Sequence, residues 1–230
     1  KESLISDEHA GIFPSPEIDL HILEFWKKHS VNYLSINVGF DVMSRDETLA
    51  TLAAYRRWLL AHPDQFLLAG TLSDIDNARN TGRLAISFDI EGINALAGDI
   101  NMVEVYHSLG VRQMLFAYNL NNSAAGGCHD IDIPLTKFGI EVLAEMNRVG
   151  MIVDASHVSY SSSMELIERS CSPVVFSHSN PWSIWQHQRN IKDEQIKACA
   201  EKGGVVGLNG LAIFIGENDS SSEGLLRHLF

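Results

Sequence analysis

Cysteine is scarce in this 230-residue chain: Cys128, Cys171 and Cys199 are the three, and they stand far apart. That number and spacing exclude a disulfide framework and a zinc knuckle built on thiolates. Basic residues are outnumbered, 17 Lys and Arg against 29 Asp and Glu, for a formal charge of −12. Such a balance argues against a nucleic-acid binder, which would show a basic face. No apolar run reaches the roughly 18 uninterrupted residues that a membrane span needs. The longest, from Gly203 to Gly216, is broken by glycines and by Asn209. No charged-then-apolar stretch opens the chain, so no signal peptide is expected and a cytoplasmic location is. Phosphate-cradling loops are missing as well. The first β run is followed by HAGIFPSP, which is not a G-x-G-x-x-G turn, and no G-x-x-x-x-G-K-[ST] occurs.

What is present reads as a globular domain. Hydrophobic residues make up 45% and charged residues 20%, which excludes a disordered chain. With no repeat, low-complexity tract or linker, residues 1–230 are expected to form a single domain. Seven short β-rich runs recur: Leu4–His9, Tyr33–Val38, Leu84–Ile90, Arg112–Ala117, Met151–Ser156, Pro173–Ser177 and Val205–Leu208. Helical patterns lie between them. Ile18, Ile22, Phe25 and Trp26 fall on one predicted helical face. A second helix is expected to start at Ser44, with Glu47 three residues on, and to stop at Pro63. A third runs from a Thr136 cap to a Gly150 stop, and a fourth from near Asp193 to Gly203.

Strands joined by helices imply parallel pairing, because parallel neighbours need a crossover. A doubly wound sheet and a (β/α)8 TIM barrel remain as choices. The barrel predicts reactive side chains at the C-terminal ends of several strands. Four runs meet this, ending in Asp7-Glu8-His9, Asp89-Ile90-Glu91, Asp154-Ala155-Ser156-His157 and Ser177-His178-Ser179, and another runs into Tyr118-Asn119. A barrel takes about 250 residues and eight strands. The fold expected is therefore an α/β TIM barrel represented without its last strand, that is, C-terminally incomplete. His9, Glu91, His157 and His178 offer imidazole nitrogen and carboxylate oxygen, the donors a borderline divalent metal takes.

Five segments carry a family resemblance: IEG at 90–92, GVRQMLFAYNLNN at 110–122, LTKFGIEVLAEMNRVGMIVDASHVS at 135–159, VVFSHSN at 174–180 and RNIKDEQIKACAEKGGVVGLN at 189–209. Together they resemble the membrane (renal-type) dipeptidases, metallopeptidases on amidohydrolase-like barrels. The resemblance implies zinc-dependent hydrolysis of dipeptides or related small amides by a metal-activated hydroxide. It implies one or two zinc ions, with Glu91 as bridging carboxylate, His157 and His178 on one ion and His9 on the other. Arg189 matches the arginine that binds the substrate carboxylate, with Tyr118 and Asn119 near the reacting carbonyl. Family members are often homodimers, so a homodimer is a possible assembly.

The chain departs from the family at three places. The first-strand H-x-D motif reads His9-Ala10-Gly11, which leaves Asp7 as a substitute carboxylate. Tyr118 stands where the family has histidine. A strand-eight aspartate, the proton shuttle, would fall past Phe230. A catalytically degenerate barrel that binds or assembles is the alternative reading, and lactone or phosphotriester hydrolysis is a third. Asp154 is expected to position His157 or to pair locally, and Asp89 to serve the end of the Glu91 strand. Trp182 and Trp185 are expected to line a pocket or else an interface, and His21, His29, His62, His107, His187 and His228 to lie on the surface.

Overall fold

The computed structural model describes residues 3–229. Phe230, past which the sequence reading puts the proton shuttle, lies outside them. The chain divides into two compact units, Lys1–Met114 and Leu115–Phe230. Each is a stack of parallel strands and helices.

The first unit is built on β2 (Tyr33–Phe40) and β4 (Leu84–Glu91), paired in parallel from Tyr33↔Ala85 to Phe40↔Glu91. Every residue of β4 is buried. This is the signature of a parallel strand covered on both faces. Strand β1 (Ser6–Ala10) adds to β2 in parallel. The far edge of β4 is shared by β3 (Phe66–Leu68), which starts opposite Leu84, and by β5 (Val111–Leu115), which starts opposite Phe88. Sequence reading misses β3 because three residues show no alternation to detect.

Helix α1 (Glu24–Lys28) departs from expectation. A 3-10 turn at Leu20–Leu23 precedes it and rotates the buried face onto Leu20 and Leu23, while Ile22 and Phe25 stay exposed. Helix α2 (Arg45–Ala61) begins at a capping box: the Ser44 hydroxyl accepts from Glu47 N–H, and the Glu47 carboxylate accepts from Ser44 N–H. It buries Thr48, Thr51, Leu52, Tyr55 and Leu59, a stripe at i, i+3, i+4 spacing. Helices α3 (Leu72–Asn80) and α4 (Met102–Ser108) complete this unit.

In the second unit β6 (Ile152–Asp154) pairs in parallel with β7 (Val174–Val175). The expected run at 205–208 reduces to one bridge, Phe176↔Val206. Helix α5 (Lys137–Val149) carries the Thr136 cap and buries Val142, Leu143 and Met146. It is followed by α6 (Tyr160–Arg169), α7 (Asp193–Glu201), α8 (Ala212–Ile215) and α9 (Ser222–Leu226). His228, expected at the surface, is buried, with its ring nitrogen on the Ile215 carbonyl at 3.0 Å. Among the described residues no helix is long and apolar enough to cross a membrane.

Gly150 ends α5 in the left-handed region, at φ +80°, with open space where a Cβ would stand. Gly210 has similar open space and no positive φ. Gly150→Ala should therefore cost about 1–2 kcal/mol of stability from backbone strain alone. Gly210→Ala should cost nothing measurable, and denaturant unfolding of the two variants checks the contrast.

Candidate functional site

In the first unit, His9 on β1 faces the C-terminal end of β4. Its Nδ1 lies 3.0 Å from Asp89 Oδ1, and its Nε2 lies 3.5 Å from Glu91 Oε1. Asp89 is fully buried and also accepts from Ser35 Oγ at 2.7 Å and Asn37 Nδ2 at 3.1 Å. Strand β2 supplies both donors. A carboxylate on Nδ1 makes that nitrogen the proton carrier and turns Nε2, with its lone pair, toward Glu91. Asp89 thus serves the histidine rather than the strand end of Glu91. Asp7 is engaged elsewhere: its carboxylate accepts from the Trp26 indole N–H at 2.8 Å and from His9 N–H at 3.2 Å.

The second unit gathers five of the expected residues, Tyr118, Asn119, His157, His178 and Arg189. His157 follows β6 and His178 follows β7, and their Nε2 atoms stand 3.0 Å apart. His157 Nδ1 lies 2.7 Å from Asn119 Oδ1, which accepts from the Cys128 thiol as well. An amide oxygen can only accept, so His157 carries its proton on Nδ1 and a lone pair on Nε2. His178 Nδ1 lies 2.6 Å from Ser177 Oγ, whose own proton goes to Asp154 Oδ2 in a short hydrogen bond. His178 therefore also donates from Nδ1. Two lone pairs facing each other at this distance repel unless a proton or a cation joins them. Two nitrogens around a tetrahedral zinc, each at roughly 2.0–2.1 Å, would sit about 3.3 Å apart. The pair fits a metal.

Asp154 was expected to orient His157. It instead reaches His178 through Ser177, because β6 and β7 pair in register Asp154↔Val175 and bring residue 177 across from the carboxylate. Ser156 N–H and Ser177 N–H also donate to it, at 2.8 and 3.2 Å. Complete burial pushes this carboxyl above the usual range, against those donors.

The loop at 126–129 fastens the site. Cys128 N–H donates to the His157 carbonyl and His129 N–H to the Asn119 carbonyl, both at 2.8 Å. A Cβ on Gly127 would stand 2.2 Å from the Asn119 backbone, so only glycine passes there. Asn119 and His157 both take left-handed backbone, at φ +63° and +64°. Such strain in two bonded residues is a mark of a functional site. The Tyr118 ring packs on the His157 imidazole, centroids 4.6 Å apart and planes 30° off parallel. Burial pushes the Cys128 thiol up, which keeps it protonated and unreactive.

Arg189 is buried. It donates from Nη1 to Ser179 Oγ at 3.1 Å and from Nη2 to the His178 carbonyl at 2.9 Å. With His157, Cys128, Trp182 and Lys192 it lines a pocket of about 290 Å³ within the second unit. Trp182 does line this pocket, but Trp185 turns its indole N–H to the Ile213 carbonyl at 3.0 Å. Sequence reading missed Ser177. Its position beside His178 was visible, but only the β6–β7 register links it to Asp154.

The membrane dipeptidase family, peptidase family M19, matches residues 16–229. An uncharacterized dipeptidase of Schizosaccharomyces pombe is 33% identical over 190 residues, which is 80% of this chain and 46% of that protein. Dipeptidase aclJ of Aspergillus oryzae is 29% identical over 169 residues, 70% of this chain and 39% of its own length. The chain thus spans less than half of these relatives. Among solved structures, an amidohydrolase from Pseudomonas aeruginosa superposes with a TM-score of 0.91 at 29% identity, over 98% of this chain and 68% of that one. A metallo peptidase from Rhodobacter sphaeroides, liganded with a phosphinate mimic of the dipeptide L-Ala-D-Ala, gives 0.82 at 19% identity, over 98% and 80%. The fold class is α/β and TIM-barrel-like, of the amidohydrolase kind, with part of the barrel represented. The match across residues 16–229 and the histidines closing its strands make this chain a member of the membrane dipeptidase family, peptidase family M19.

Proposed function

We propose that this chain is the metal-binding part of a zinc-dependent hydrolase that cleaves dipeptides or related small amides. The observation that carries the reading is the 3.0 Å approach of His157 Nε2 and His178 Nε2, each ring held by a partner on its Nδ1. The pairing of His9 Nε2 with Glu91 Oε1 in the first unit supports it. His9, Glu91, His157 and His178 would hold one or two zinc ions. A bound zinc would supply a water of lowered pKa and polarise the amide carbonyl.

The chain's own residues do the rest. Asp89 and Ser177 hold His9 and His178 by their Nδ1 atoms, so that Nε2 serves as ligand. Asn119 acts through His157 rather than on substrate, since its amide oxygen is committed to that ring. The Tyr118 hydroxyl is the donor for the substrate carbonyl oxygen. Arg189 binds the substrate's terminal carboxylate through its fork of N–H donors. It holds the His178 carbonyl at the same time, so anchoring and ligand placement share one side chain.

Purified chain should take up roughly one or two equivalents of zinc. It should hydrolyse dipeptides of L- or D-configured C-terminal residue, with activity lost to chelators and restored by added zinc. His178→Ala should lower zinc uptake by the ion that His178 helps hold and should abolish turnover. Protein that folds but takes up no zinc points to the degenerate binding barrel instead. Arg189→Lys keeps the charge and loses the fork. It should raise KM for dipeptides about 10- to 100-fold, the worth of a charged hydrogen bond. C-terminally amidated dipeptides should be poor substrates and should lose less to the substitution than free dipeptides, the loss that remains being the support of the His178 carbonyl. Steady-state kinetics on the two substrate sets decides the point.

A further inference from the structure

The hydrogen bonds behind His178 have a direction that can be read atom by atom. Asp154 Oδ1 accepts two backbone N–H groups, from Ser156 and Ser177. Its Oδ2 accepts the Ser177 hydroxyl proton. With Asp154 ionised the one hydroxyl proton is spent on it, so toward His178 Ser177 Oγ acts as acceptor and the 2.6 Å contact is donated by Nδ1–H. The chain of bonds therefore runs His178 to Ser177 to Asp154, and it leaves Nε2 with a lone pair pointing at His157 Nε2. His157 reaches the same state by a simpler route, through an amide oxygen that cannot donate. Asp89 in the first unit touches His9 directly. Only His178 has a hydroxyl interposed, and a hydroxyl can turn round.

We propose that Asp154 and Ser177 are positioning residues: the carboxylate orients the hydroxyl, and the hydroxyl fixes His178 in the tautomer whose Nε2 can bind a metal. This inference rests on the hydrolase reading above for the ligand role of His178. Its sharpest consequence concerns Asp154→Asn, which changes shape by almost nothing. The two backbone N–H groups hold the amide oxygen at the Oδ1 place, so the NH2 group takes the Oδ2 place and donates to Ser177 Oγ. Ser177 must then turn its proton to His178 Nδ1. The histidine becomes the Nε2–H tautomer, with no lone pair to offer. A carboxylate-to-amide change that installs a wrong histidine tautomer while geometry survives has precedent in serine proteases.

The test uses the full chain, labelled with 15N-histidine and freed of metal by chelator. Long-range 1H–15N spectra report which ring nitrogen of His178 carries the proton, the signal being identified by its loss in His178→Gln. The wild-type chain should show a proton on Nδ1, with or without one shared across the Nε2 pair, and Asp154→Asn should show Nε2–H with Nδ1 bare. Zinc affinity, measured by competition with a chromogenic chelator, should fall about 10- to 100-fold in Asp154→Asn. Ser177→Ala should lose affinity to a similar degree, and Ser177→Thr, which keeps the hydroxyl, should recover it. A merely structural role would move melting temperature without inverting the tautomer. His178 found with Nδ1 bare in the wild type, which needs no variant, overturns the relay. So does Asp154→Asn that keeps Nδ1–H and binds zinc within threefold of wild type. A wild-type chain of the expected tautomer that takes up no zinc overturns the hydrolase reading instead.

Discussion

Two imidazole Nε2 atoms 3.0 Å apart, each ring held by a partner that takes the Nδ1 proton, are the constraint around which the second unit is organised. Such a pair is unfavourable by itself and becomes favourable with a cation between. Each ring is held in this state by a partner on its far nitrogen, Asn119 for His157 and Ser177 for His178. Those partners are held in turn. The 126–129 loop clips onto the Asn119 and His157 backbones, and Asp154 takes the Ser177 proton. The left-handed backbone at Asn119 and His157 is a cost of this arrangement, met by the hydrogen bonds around it.

The first unit solves the same problem with different parts. His9 is held by Asp89, and Asp89 by Ser35 and Asn37 on the neighbouring strand. Polar residues inside fully buried strands look misplaced until their bonds are traced. Ser35, Asn37 and Asp89 then form one satisfied network, and its output is the direction of a single imidazole. Arg189 shows a comparable economy, since its guanidinium supports the His178 carbonyl from within the pocket it lines.

Much of this was legible in the sequence. The caps at Ser44 and Thr136 and the Gly150 stop were readable because each is a local rule of backbone chemistry. The strand-end histidines and carboxylates were readable because parallel strands put such residues at their C-terminal ends. Other elements were not. Strand β3 is three residues long and has no period. The helical face near Ile22 was misplaced because a 3-10 turn changes the angle per residue. Val205–Leu208 reads as a strand by composition, yet the structure grants it one bridge.

What the sequence by itself determined is the chemical inventory: histidines and carboxylates closing several β runs, an arginine downstream, and family motifs between residues 90 and 209. Periodicity and capping rules also determined that strands alternate with helices. What only the tertiary structure decided is which groups act on which. Asp154 serves His178 through Ser177 rather than His157, Asn119 serves His157, Asp89 serves His9, and Asp7 is taken by Trp26. The reason is that a hydrogen bond depends on tenths of an ångström and on which atom holds the proton. Strand register and loop closure set both, and neither is written in the spacing of residues along a chain.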